Sequence, residues 1–144
     1  MHLTCSVSDM GAALSIVTRA IAARSTVQIL EGVLLTTCPE GLRLTCTDLA
    51  LGIETYIDAQ ISQEGSVVLP GKLLTEIVRK LPDGEMEIQI NDQNVATVRC
   101  EKSKTTLSGL AAEEYPALPE VGEAKEISLP ESILKDMIQR TTFA

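Results

Sequence analysis

The chain has 144 residues, 44% of them hydrophobic, and a formal charge of −8 from 12 basic and 20 acidic side chains. That is one domain by length with part of another, and it carries enough apolar residues for a core and too little charge for a disordered chain. No stretch approaches the length of a membrane span, and the N-terminus lacks the basic, apolar and small-residue order of a secretion signal, so a soluble cytoplasmic protein is expected.

Residues 3–7 read as a strand, with Ser8 or Asp9 as N-cap of a helix over 9–24. Met10, Ala13, Leu14, Val17 and Ile21 fall at helical spacing and form its apolar stripe. A β-rich run over 29–37 follows, then the turn-forming Cys38-Pro39-Glu40-Gly41. Alternating strands are expected over 42–47 and, restarting after Asp48, over 49–57, with a break at Gln63-Glu64-Gly65. The second half repeats this grammar. A strand over 66–69 leads into a helix over 70–81, stopped by Pro82-Asp83-Gly84, and strands follow at 85–90, 95–100 and 104–110. On that helix Leu73, Leu74, Ile77, Val78 and Leu81 pack inward, which turns Lys72, Arg79 and Lys80 outward.

Residues 111–124 are acidic, hold two prolines and lack periodicity, as a linker does. Beyond them a strand over 126–129 and a helix over 130–143 repeat the second strand–helix pair: Leu69-Pro70 matches Leu129-Pro130, Leu73-Leu74 matches Ile133-Leu134, and Ile77-Val78 matches Met137-Ile138. The expected divisions are a first domain over 1–112, a linker over 113–124, and the opening strand and helix of a second domain over 125–144. The parent chain is expected to continue past Ala144, because the last helix has no sheet of its own to cover it.

The architecture that follows is α+β: two βαβββ units paired across a pseudo-twofold axis, helices on one face and antiparallel sheets on the other. Charge divides along the same lines. The three helical segments hold seven cations against four acids, a net +3, and the remainder of the chain carries −11. A mildly basic helix face on an acidic background suits weak, sequence-independent contact with phosphates. The competing reading is an acidic protein-interaction module that leaves DNA untouched.

Chemistry finds little support. Cys5, Cys38, Cys46 and Cys100 form no metal-ligand spacing and read as reduced core residues, so no metal or other cofactor is expected. His2, the only histidine, stands at a terminus expected to be mobile, and the Glu113-Glu114 pair falls in the linker. With no nucleophile–base set and no glycine-rich phosphate loop, no enzyme is expected.

Several short runs carry a resemblance over essentially the whole chain: Ala23-Arg24-Ser-Thr-Val-Gln-Ile-Leu30, Leu44-Thr-Cys-Thr-Asp-Leu49, Val68-Leu-Pro-Gly-Lys72 and Leu110-Ala-Ala-Glu-Glu-Tyr-Pro116. In order and spacing they resemble the bacterial sliding clamp family, the β subunit of DNA polymerase III. The resemblance implies the first of three domains and the start of the second. It also implies a clamp fold, and a homodimeric head-to-tail ring that encircles double-stranded DNA and tethers the polymerase without catalysis. Arg24 and Lys72 match DNA-contacting positions of the family, and Arg79 and Lys80 lie on the expected channel face. The edge strand 104–110 is implied to cross the subunit interface, where Thr105 replaces a bulky aromatic and Leu107, with Leu73 or Leu74, supplies the apolar contact. The pocket that receives polymerase and clamp-loader tails is implied to lie in later domains.

Overall fold

A computed structural model describes residues 1–21, 27–119 and 128–142. Its fold is α+β, with nine strands among the described residues, arranged in two antiparallel sheets. Strand β1 (His2–Ser6) leads directly into helix α1 (Val7–Val17). Ser6 caps that helix by accepting a 3.3 Å hydrogen bond from the Asp9 N–H, so the cap lies earlier than either expected residue. The helix also ends earlier than expected, tightening into a 3₁₀ turn over Thr18–Ala20, and residues 22–24 of the expected helix lie outside the described residues.

A second 3₁₀ turn (Gln28–Glu31) occupies the start of the expected strand, and β2 (Gly32–Cys38) and β3 (Gly41–Thr47) follow. The expected strand over 49–57 is shorter because Asp48 folds the chain back. Its Oδ1 accepts from the Ala50 and Leu51 N–H groups at 2.9 and 2.7 Å, delaying β4 to Gly52–Ile57. An unexpected strand, β5 (Ala59–Gln63), comes next. Then come β6 (Ser66–Pro70), α2 (Gly71–Val78), β7 (Glu85–Ile90), β8 (Val95–Cys100) and β9 (Ser103–Ser108). Helix α2 is therefore shorter than the periodicity implies, with Pro70 as its N-cap.

The sheets run β5-β1-β7-β8-β9 and β4-β3-β2-β6. Each strand that precedes a helix thus joins the sheet of the other half. Leu3 of β1 is opposite Ile88 of β7, and Val33 of β2 is opposite Leu69 of β6. This exchange welds the halves into one body with one main core, drawn from both helices and both sheets and led by Leu3, Met10, Leu14, Leu35, Leu44, Leu69, Leu74 and Ile88. Helices α1 and α2 pack on each other, α1 over β3 and β4, α2 over β2 and β6. The sheets meet where Val68 and Leu110 exchange backbone hydrogen bonds of 3.1 and 2.8 Å. Beside that junction Gly109 has no room for a side chain, since a Cβ would sit 2.7 Å from the Val68 carbonyl oxygen and 2.8 Å from that of Asn94.

Three further expectations change. His2 is anchored, its Nε2 2.6 Å from Glu87 Oε1 within the β1–β7 pair. That hydrogen bond, ahead of the nearby Arg99 charge, holds the Glu87 carboxyl below the usual carboxylate range. The segment read as linker begins inside the folded body: Tyr115 is buried, and its phenol oxygen accepts from the Thr47 N–H at 3.0 Å. At the far end α3 (Glu131–Thr141) forms with Pro130 as N-cap, 128–130 are not a strand, and 125–127 lie outside the described residues. All four cysteines are free thiols; Cys5, Cys46 and Cys100 are buried and Cys38 is half-buried.

Candidate nucleic-acid interface

The polar side of the helix layer is built by a simple constraint. Gly71, Leu74 and Val78 of α2 face the core with Ile77 half-buried against it, so Lys72, Leu73 and Glu76 face out. Lys72 is exposed on the first turn. Arg79 is the helix C-cap and Lys80 the residue after it, both exposed and held by backbone bonds to Thr75 and Ile77 at 3.0 Å. Their place at the C-terminal end also suits the helix dipole. Arg19, in the turn that ends α1, is exposed as well. Thr18 and Ile21 from the end of α1 meet Lys72, Thr75 and Glu76 of α2 around a groove of about 410 Å³, so Lys72 borders the seam between the helices. Arg24 lies outside the described residues.

Charge pairing divides the basic side chains, though not strictly by layer, since Lys104 of β9 is in no ion pair among the described residues and Arg140 of α3 pairs with Asp136 at 2.9 Å. Arg43 lies 3.7 Å from Glu54 and Arg99 lies 3.4 Å from Glu87, each pair linking neighbouring strands. Among the described residues Arg19, Lys72, Arg79 and Lys80 have no such partner. Exposed cations outside an ion pair keep their charge available to an external polyanion with no internal pair to break first, although Glu76 shares the groove with Lys72.

The residues expected at a subunit interface divide differently. Leu73 is 47% exposed, against the expectation that it packs inward, and Thr105 is exposed on β9, an edge strand. Leu74 and Leu107 are buried within the core and offer no side-chain surface to a partner. Two adjacent leucines on a helix cannot both face inward, because successive residues are about 100° apart, and the core takes the second. Strand pairing sets Leu107 opposite Ala96 of β8, on the side that faces the core.

A sequence model described as "DNA polymerase III beta subunit, N-terminal domain" matches residues 1–119. The chain is 41% identical, over 89% of its length, to the "Beta sliding clamp" of Halalkalibacterium halodurans, and 38% identical over its whole length to that of Synechocystis sp.. It spans 36% and 39% of those proteins. Among solved structures, a DNA polymerase sliding clamp from Bacillus subtilis superposes over the whole chain with a TM-score of 0.95 at 33% identity, the chain covering 40% of it. A putative DNA polymerase III beta subunit from Eubacterium rectale superposes with a TM-score of 0.94 at 34% identity. The fold is thus shared with solved clamps, and the chain belongs to the DNA polymerase III beta subunit family, whose N-terminal domain it contains.

Proposed function

We propose that this chain is the DNA-facing first portion of a sliding clamp, a non-catalytic processivity factor. In that role α1 and α2 line a channel around duplex DNA, and Lys72, Arg79 and Lys80, with Arg24 beyond the described residues, make weak phosphate contacts. The observation that carries the reading is the placement of Arg19, Lys72, Arg79 and Lys80 on the exposed side of the helix layer, none of them in an ion pair among the described residues. Strand β9, with exposed Thr105, is the edge that pairs with a second subunit in a head-to-tail ring, and exposed Leu73 of α2 is the apolar contact offered beside it. DNA polymerase III and the clamp loader are the protein partners, engaged through other domains. The work is topological tethering, which needs no cofactor.

The test is the salt dependence of duplex binding, followed by fluorescence anisotropy on a labelled duplex from about 30 to 200 mM salt, within the range where phosphate contacts dominate. The triple variant Lys72→Ala, Arg79→Ala and Lys80→Ala is expected to weaken binding on every duplex sequence. It should also flatten the slope of log K against log salt by about 1 for each phosphate that is no longer neutralised. An unchanged slope in a folded triple variant would remove these residues from the interface.

A further inference from the structure

The bend between α2 and β7 carries a chemistry that DNA encirclement does not use. Asp83-Gly84 is the one place in the sequence where a glycine follows an aspartate or an asparagine. Both residues are exposed. Gly84 adopts a φ of 144°, a backbone that glycine takes readily and other residues do not. A Cβ built there would meet nothing within 4 Å, so no neighbour packs where its side chain would be.

The bend is tied on both sides and untied between. The Gly84 carbonyl accepts from the Val7 N–H at 2.9 Å, which joins it to the first residue of α1. On the other side the Cys100 thiol donates to the Pro82 carbonyl at 3.7 Å. The Gly84 N–H donates to no acceptor among the described residues. Elsewhere the amide that follows a turn aspartate or asparagine is engaged. The Leu49 N–H after Asp48 donates to Thr47 Oγ1 at 3.0 Å. After Asp92 the Gln93 N–H donates to Asn91 Oδ1 at 3.0 Å, and after Asn94 the Val95 N–H donates to the same oxygen at 2.9 Å.

An unengaged amide beside a carboxyl has a covalent reaction open to it. The Gly84 nitrogen attacks Cγ of the neutral Asp83 carboxyl, forming an N–C bond. The amide proton and the carboxyl hydroxyl leave together as water, and a five-membered succinimide ring closes. Water then adds at one of the two ring carbonyls and breaks its bond to nitrogen. Opening at the α carbonyl routes the main chain through the side-chain carbon and leaves isoaspartate, with a free carboxyl restored and one methylene added to the backbone. One water is released and one consumed, so no other reactant is needed. An engaged N–H must first give up its hydrogen bond, and a side chain on the following residue crowds the ring, so Asp48 and Asp92 are protected twice.

We propose that Asp83 is a site of spontaneous covalent modification, converting to isoaspartate through a succinimide with Gly84 in the folded protein. The added methylene falls in the link between α2 and β7, next to the carbonyl that holds the start of α1. Conversion displaces that carbonyl and loosens its bond to the Val7 N–H. The site stands whether or not the helix layer holds DNA.

The experiment is prolonged incubation at neutral pH, of the folded chain and of the chain unfolded in guanidinium chloride. Peptide mapping with electron-transfer fragmentation then distinguishes isoaspartate from aspartate at each position. In the folded chain isoaspartate is expected at residue 83, at a rate within about tenfold of the unfolded chain, as for a segment that opens locally at almost no cost. Residues 48 and 92 should gain it only on unfolding. Asp83→Asn passes through the same ring with ammonia leaving in place of water, and should convert faster. Asp83→Glu, which would need a six-membered ring, should give no product. The modified chain should exchange its Val7 amide hydrogen faster than the parent chain. A folded chain that stays intact at residue 83, as aspartate and as the Asp83→Asn variant, while the unfolded chain reacts would overturn the proposal. So would conversion of residues 48 and 92 in step with residue 83, or unchanged Val7 exchange in the modified chain.

Discussion

Helices α2 and α3 are written in nearly the same residues and live in different surroundings. Leu74 and Val78 of α2 are 0% and 2% exposed, while their counterparts Leu134 and Ile138 of α3 are 46% and 51% exposed. Both segments carry the same apolar stripe and both begin after a proline N-cap. The stripe specifies which side of a helix is to be covered, and an adjoining sheet decides whether it is. For α2 the sheet is β2 and β6; every described residue of α3 is exposed. Stability that comes from burial therefore belongs to the pairing of stripe and sheet, not to the helical sequence.

The widest separation between the two helices is expected on truncation. Leu74→Ala should lower unfolding free energy by about 2–5 kcal/mol, whereas Leu134→Ala should change it by less than about 0.5 kcal/mol. Urea midpoints of the two variants measure this directly, and similar losses for both would show that α3 is covered in solution.

Tyr115 tests how far the packed body extends along the chain. Tyr115→Phe leaves the Thr47 N–H without its acceptor and should cost about 1–3 kcal/mol. A midpoint equal to that of the parent chain would return residue 115 to the linker. The same residue gives a pH signature. Burial raises the Tyr115 phenol from its ordinary 10 to about 12, and likewise the Cys5 and Cys46 thiols from 9 to about 12. The unfolded chain releases these protons first, so the stability they lend is full below pH 9 and is lost between pH 9 and 12. Tyr115→Phe removes the phenol's share, so its urea midpoint should fall less between pH 8 and pH 11 than that of the parent chain.

Helix α1 offers a smaller contrast, because it has the side-chain cap that α2 and α3 lack. Ser6→Ala should destabilise the protein by about 1 kcal/mol, and Ser8→Ala, at one of the caps expected from sequence, should be close to neutral. Equal losses on thermal unfolding would place the cap elsewhere.

Periodicity made the helix stripes and most strands legible, because one side of each element is buried and the other is wet. It could not reveal the exchange of β1 and β6 between sheets, since long-range pairing leaves no local pattern. It missed β5, where Asp58 interrupts the run and Gln60 and Ser62 separate only half-buried residues. It extended α1 too far because Ile21 continues the helical spacing although the chain has already left the helix at Thr18. At the candidate interface, the outward direction of Lys72, Arg79 and Lys80 followed from helical phase. The choice between Leu73 and Leu74 did not, for on an eight-residue helix the apolar stripe is too short to fix its own centre. The gathering of Arg43 and Glu54 under residues 115–119 belongs to a fold of remote segments, and no spacing in the chain announces it.

The helix layer, and not the acidic remainder, is the proposed DNA surface. The direct measurement is chemical-shift mapping of the ¹⁵N-labelled chain with a short duplex at low salt. Shifts are expected to concentrate on Arg19, Lys72, Thr75, Arg79 and Lys80 and to fade as salt is added. Shifts centred on Arg43, Arg99 and the outer sheet faces, with the helix layer silent, would contradict it.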